Sequence, residues 1–229
     1  MEPTKTKSDL VLYRLFQLIS PSLPIGGFTY SQGLEWAVEA GWVDGRHAME
    51  DWLANMLLNS VATLELPLIE QYMQALRDDD MEKIRHCSEL LYSSRETREL
   101  RAEERQRGLA LKTLLKQLDI EHACFLDEEL EMNQLLGLCI AAQHWNIESL
   151  ALKQGYLWSW AENLVMAGVK LVPMGQTDGQ RVLIHLSELF PQALLQAEQT
   201  EDWMIGSFTP SVSIASSLHE TQYTRLFRS

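Results

Sequence analysis

With 229 residues, 46% of them hydrophobic, the chain is long enough for one large core, expected to bury about 70–75% of its unfolded surface. Its formal net charge of −13, with no long basic run set against it, excludes a phosphate-tracking nucleic-acid binder and favours basic protein partners. The first apolar run, Leu10 to Ile19, is broken by Arg14 and Gln17 and has no small-residue cleavage site after it. The longest uninterrupted run, Leu135 to Ala142, falls far short of the ~20 residues that span a bilayer, so no membrane is expected.

Residues 1–8 are polar and are expected to be loose. Leu12, Leu15, Phe16 and Ile19 then share one face of a short helix that the Ser20-Pro21 step ends. From Ser20 to Gly41 the chain reads SPSLPIGGFTYSQGLEWAVEAG. Two prolines and the Gly26-Gly27 pair forbid a helix at the start of this stretch. Thr29 with Gln32 has capping-box spacing, which predicts a helix from Thr29 to Gly41 burying Tyr30, Leu34, Ala37 and Val38 and turning Glu35 and Glu39 outward. Phe28, behind two glycines, has little to pack on locally and reads as a loop-tip contact.

Met49, Trp52, Leu53, Met56 and Leu57 mark the next helix, and Pro67 predicts a break or kink near Leu66. The Asp78-Asp79-Asp80 turn reads as a helix N-cap, since no further carboxylates stand at ligand spacing. Residues 95–107 hold five arginines and four glutamates, with pairs such as Arg95 and Glu99 at i, i+4, the pattern of a solvated helix face. Leu130–Trp145 and Ile147–Val172 are apolar around most of their circumference and read as central helices. Pro173 and Gly175 end the second, Lys170 lies in its last turn, and Thr177 with Gln180 offers another capping box. Residues 206–229 are serine-rich and then apolar and basic, the composition of a flexible tail that folds on a partner.

Whole mechanisms are missing. No Gly-Lys pair exists for a phosphate loop, there is no GxGxxG or GxSxG, and Tyr223 stands where an HExxH zinc pattern starting at His219 needs histidine. His122 and Cys124 alone make no metal site, and the three cysteines form no CxxC pair, as in a reduced, cytoplasmic chain. No cofactor, no metal site and no catalytic residue is assigned. From its residues alone the chain is an all-α, single globular helical domain of about eight to ten helices with flexible N- and C-terminal tails, and an interaction protein rather than an enzyme.

Three blocks carry a more specific signal: Ser20 to Gly41, then AGVKLVPMGQTDGQ over 167–180, then HETQYTRLFRS over 219–229. Together they resemble the urease accessory protein UreF family, in order and across nearly the full chain. The resemblance implies a cytoplasmic nickel-insertion chaperone that bridges UreD (UreH in some species) and the GTPase UreG, and couples GTP turnover to nickel delivery into apo-urease. It also implies self-association as a homodimer. Carried onto this sequence, Phe28, Tyr30, Lys170, Tyr223, Arg225, Leu226, Phe227 and Arg228 are the candidate partner-binding residues. The alternative is a GTPase-activating regulator of UreG that supplies an arginine from the 95–107 stretch. A third class, an all-α enzyme with a tryptophan-lined pocket, lacks a polar constellation to support it.

Overall fold

The three- and four-residue leucine spacing produces helices throughout. A computed structural model describes the backbone of residues 4–229 and the side chains from residue 9 onward. Among the described residues there is no strand. The helices are α1 (Thr4–Ile19), α2 (Leu34–Glu39), α3 (Arg46–Met56), α4 (Leu66–Arg77), α5 (Met81–Ser93), α6 (Arg98–Gln117), α7 (Gln134–His144), α8 (Ser149–Leu171), α9 (Gln176–Gln199) and α10 (Pro210–His219). A π-helical stretch, Leu57–Glu65, joins α3 and α4 into one continuous helix, Arg46–Arg77, leaving nine helices among the described residues, in one domain.

Of the break or kink expected near Leu66, the break does not occur, and the irregularity is a π-helical stretch ending at Glu65. The Leu66 N–H reaches back five residues to the Val61 carbonyl, a widened turn that carries the helix into the proline. Proline has no N–H for the Thr63 carbonyl four residues earlier, and the Gly206 N–H donates to that oxygen at 3.1 Å. Thr63 Oγ1 donates in return to the Gly206 carbonyl at 2.7 Å, and Phe208 N–H to the Asn59 carbonyl at 2.8 Å. The irregular turn thus anchors the segment leading to α10.

The core lies around α4, which packs on α5, α7, α8 and α9 and buries Leu66, Leu68, Ile69, Tyr72, Met73 and Leu76. By length and composition Arg46–Arg77 is long and apolar enough to cross a membrane, but 72% of its apolar window is buried inside the fold, as a core helix requires. Helix α7 buries every residue from Gln134 to Ala142, the expected central helix. Its start is fixed by Asn133, whose side chain accepts from the Leu136 N–H at 2.9 Å and donates to the Tyr72 and Ser88 hydroxyls. Asp80 caps α5 through the Lys83 N–H, as read from the aspartate turn.

Several local expectations change. Residues 1–3 of the loose segment lie outside the described residues, and α1 is already helical from Thr4. That helix turns Val11, Leu15, Leu18 and Ile19 inward and leaves Leu12 and Phe16 exposed, because the close approach of Gly155 selects the Leu15 and Ile19 side. Neither capping box forms. Helix α2 begins only at Leu34, behind Gly33 at φ 82°, and Thr29 Oγ1 donates to the Gly26 carbonyl instead. Helix α9 begins at Gln176 after Gly175, with no side-chain cap.

Gly108 is the tightest backbone approach to another segment: a Cβ there would lie 2.4 Å from the Met132 carbonyl oxygen and 2.5 Å from Asn133 Cα. Gly175 has an ordinary φ of −87° and no neighbour within 4 Å of an added Cβ. Gly108→Ala should therefore lower the unfolding free energy by about 1–3 kcal/mol, whereas Gly175→Ala should stay within about 0.5 kcal/mol. Urea denaturation of the two variants checks this; equal midpoints would show that α6 and α7 are not held by that approach.

Candidate partner-docking face

The loop from Ser20 to Gly33 is pinned by its buried Leu23 and Ile25 and turned by left-handed backbone at Gly26, Gln32 and Gly33. Gln32 holds φ 53° without being glycine, and its side chain donates to Glu103 at 3.1 Å, which offsets that local cost. Gly27 sits against Arg107 and Asn163, so the turn carries Phe28 out to 58% exposure. Tyr30 goes inward: its hydroxyl donates to Gln106 at 2.8 Å, and burial together with the nearby Glu103 raises its pKa.

The segment 206–229, expected to be mobile, is docked against this loop. Helix α10 packs on α2, and residues 220–229 run back over α2 and α6. Glu35 is the reason. Expected to face outward, it is 7% exposed, and its carboxylate accepts from the Leu226 N–H at 2.6 Å, the Phe227 N–H at 2.9 Å and His219 Nε2 at 3.2 Å. Ser31 and Gln32 donate their backbone N–H groups to the Ser229 carbonyl oxygen at 2.6 and 3.0 Å, and the Ser31 hydroxyl adds a third bond at 2.6 Å. The Arg228 N–H donates to the Thr29 carbonyl at 2.9 Å.

Helix α6 supplies the other wall, and here the solvated-face reading is corrected. Glu99 takes Arg225 at 2.7 Å and His219 Nδ1 at 2.6 Å; Glu103 takes the Ser229 hydroxyl and Arg107; Gln106 takes Arg228. Arg95 does not pair with Glu99. It lies before α6, buried between Glu65 and Glu104, whose charges outweigh the burial that alone would lower its pKa. Of the five arginines, Arg95 and Arg107 are largely enclosed in ion pairs, and Arg98, Arg101 and Arg105 are solvent-exposed or nearly so.

The structure brings together most of the candidates named from sequence. Lys170 Nζ lies 5.6 Å from the centre of the Phe227 ring, so the second block meets the tail. Phe28, Lys170, Leu226 and Arg228 are exposed on this side, whereas Tyr30 and Phe227, 5% and 6% exposed, are internal staples and not free contacts. Tyr223 is fully exposed, and Arg225 is partly committed to Glu99. Sequence reasoning missed Glu35, Glu99, Glu103 and His219. The three glutamates showed only a spacing that equally fits a wet helix face, and His219 only its place at the start of the third block.

The cavity beneath the loop, lined by Tyr30, Gln32, Glu103, Arg107 and Asn163 with Trp160 as its one tryptophan, has about 20 Å³ of usable space, too small for an organic substrate. His122 Nδ1 accepts the Cys124 backbone N–H and so serves as a local cap. Burial pushes the Cys87 and Cys124 thiols up to about 11, so neither is a ready thiolate.

Comparison with known proteins agrees with this reading of the three blocks. The sequence profile of the family described as UreF matches residues 43–187. The urease accessory protein UreF of Alcanivorax borkumensis is 47% identical over 229 residues, covering 97% of this chain and all of that protein. The UreF proteins of Pseudomonas putida F1 and Alkalilimnicola ehrlichii are 48% and 44% identical, covering 97% and 99% of this chain and 99% of each relative. Identity near one half, sustained over essentially the whole length, makes this chain a member of the urease accessory protein UreF family.

Proposed function

We propose that this chain is a cytoplasmic scaffold of urease maturation that bridges UreD (UreH) and the GTPase UreG, and so couples GTP turnover to nickel delivery into apo-urease. Family membership supports the coarser role, an accessory protein that associates with other components of urease maturation. The observation that supports the finer role is the convergence of the opening loop, the end of α8 and the tail on one face, with Phe28, Lys170, Leu226 and Arg228 exposed on it. A face preorganised by internal bonds loses less ordering entropy on association than a free tail. The partners would meet exposed apolar groups ringed by cations, a pattern in which aromatic and arginine anchors contribute most. Pairing of two copies as a homodimer belongs to the same proposal.

The GTPase-activating alternative is narrowed to Arg98, Arg101 and Arg105, since Arg95 and Arg107 are enclosed in ion pairs. It requires that one arginine variant abolish stimulation of UreG turnover without loss of binding.

Two variants separate docking from folding. Leu226→Asp changes a 65% exposed side chain and leaves the backbone bond from Leu226 to Glu35 available, so helical circular dichroism should be unchanged. Co-purification with UreD and UreG should fall about tenfold or more, the loss of one anchor; undiminished recovery of both partners would remove the tail from the interface. Arg225→Ala deletes a partly exposed pair with Glu99, so its cost in global stability should stay under about 1 kcal/mol. Complex formation should nevertheless weaken, because the tail is held less firmly, and equal complex yield from wild type and variant contradicts this.

A further inference from the structure

Residues 201–208, between α9 and α10, run as a strap back along the helix Arg46–Arg77. Gln71 donates to Asp202 at 2.7 Å, the Gly206 N–H to Thr63 and the Phe208 N–H to Asn59, so successive anchors step from α4 back into the π-helical stretch. Ile205 turns inward, yet Trp203, Met204 and Phe208 are 80%, 53% and 78% exposed. The Trp203 indole N–H donates to Glu201 at 2.6 Å, which fixes the ring while it stays in solvent. Large side chains already held in place lose little freedom on association, and aromatic anchors of this kind contribute most to protein interfaces. Beside the strap lies a cavity with about 350 Å³ of usable space, walled by Leu66, Pro67 and Ile205 and edged by Glu70, Glu198 and Asp202. That is room for a long side chain, where the cavity beneath the opening loop has room for about one water. Trp203 and Met204 stand in the single turn between two residues of this cavity, Asp202 and Ile205.

The charges around this cavity do not cancel. The buried Lys153 pairs with Glu70 at 2.9 Å, but Lys83 comes only within 3.6 Å of the exposed Asp202, and among the described residues Glu198 forms no ion pair. Apolar walls suit the methylene stem of an arginine, and the carboxylate rim suits its guanidinium, which pairs with carboxylates through parallel bonds. We propose that this cavity and the strap beside it form a second docking surface, for a protein segment that carries an arginine among apolar residues. The arginine enters between Glu198 and Asp202, and its apolar neighbours cover Trp203 and Met204. This surface lies apart from the face built on the tail, since Lys153 and Lys170 are seventeen residues apart on α8, about 26 Å. The two are also opposite in sign, with Lys170 and Arg228 on one and Glu198 and Asp202 on the other, so each repels the other's partner. A second copy of this chain, itself at −13, is the poorer match. A bridge between two proteins needs two such separate surfaces. Only that assignment rests on the scaffold function; the chemistry of the surface does not.

The test is fluorescence anisotropy of a labelled amphipathic peptide of leucine and arginine, titrated with the full-length chain at about 0.15 M salt, where exposed charges act over only about 8 Å. The peptide should bind about tenfold or more tighter than its counterpart with uncharged citrulline at every arginine. Trp203→Ala should weaken binding about tenfold, and Glu198→Gln about threefold, the loss of one exposed charge pair. Both side chains are exposed, so helical circular dichroism should be unchanged. Glu188→Gln makes the same change of charge ten residues earlier on α9 and should leave the affinity as it was. Failure of the arginine peptide to bind, equal binding of the two peptides, or equal losses from Glu188→Gln and Glu198→Gln overturns the proposal. So does self-association that depends on Trp203 in a chain that binds no peptide, which would give the surface to a second copy. No protein of urease maturation is used, so failure here leaves the tail's face and the scaffold function standing, and Leu226→Asp tests that face without touching this one.

Discussion

A carboxylate withdrawn from water is costly unless donors converge on it, and the organisation of this molecule's docking face depends on how Glu35 meets that requirement. The two-turn helix that carries it is too short to be stable by itself. Its position comes from the buried Leu34 and Ala37 beside it and from α10 packed across it, with Gly33 so close to Ser216 that an added Cβ would lie 2.9 Å from that residue's nitrogen. Three donors from residues more than 180 positions away then satisfy the Glu35 oxygens. Charge-assisted bonds of this kind fix geometry more reliably than they add net stability. The carboxylate accordingly sets the register of the tail more than its affinity for the body.

The tail reaches Glu35 because a second irregularity aims it. Pro67 strips the Thr63 carbonyl of its usual donor, the π-helical turn presents that oxygen sideways, and Gly206 fills it. The chain is therefore fixed at Gly206 and Phe208, again along α10 through the Thr97 and Ser216 hydroxyls at 2.8 Å, and finally at Glu35. Each anchor shortens the free segment before the next, which reduces the entropy lost in closing it. A tail of this composition would be disordered without such anchors; here Tyr223 is fully exposed, while Gln222 and Arg225 on either side of it are bonded to Glu39 and Glu99.

The sequence carried the helices and the central position of α7 plainly, because burial on one or all faces writes itself as spacing within a few residues. The three family-like blocks were legible too, and they do meet in space at Lys170, Phe227 and Thr29. What was not legible was the destination of charged side chains. Glu35 and Glu99 occupy positions where helical periodicity calls for solvent, and only partners from the far end of the chain reverse that reading. Arg95 shows the same limit: i, i+4 spacing offers it Glu99, yet it lies outside the helix, and burial with Glu65 and Glu104 decides its pairing. The Thr29 and Gln32 capping box failed for a related reason, since a left-handed Gln32 and Gly33 had already committed the backbone to the turn that receives Ser229.

The polar character of this seam has a consequence for assembly. An apolar seam of the same area would bind the tail more tightly and tolerate sliding, because burial is non-directional. A seam built from Glu35, Glu99, Glu103, Ser31 and Gln106 accepts the tail in one register, the register that turns Phe227 in beneath Lys170 and Leu226 out. Specificity of presentation is thereby separated from strength of attachment. A surface that must be offered in one arrangement is better served by that separation than by a larger core.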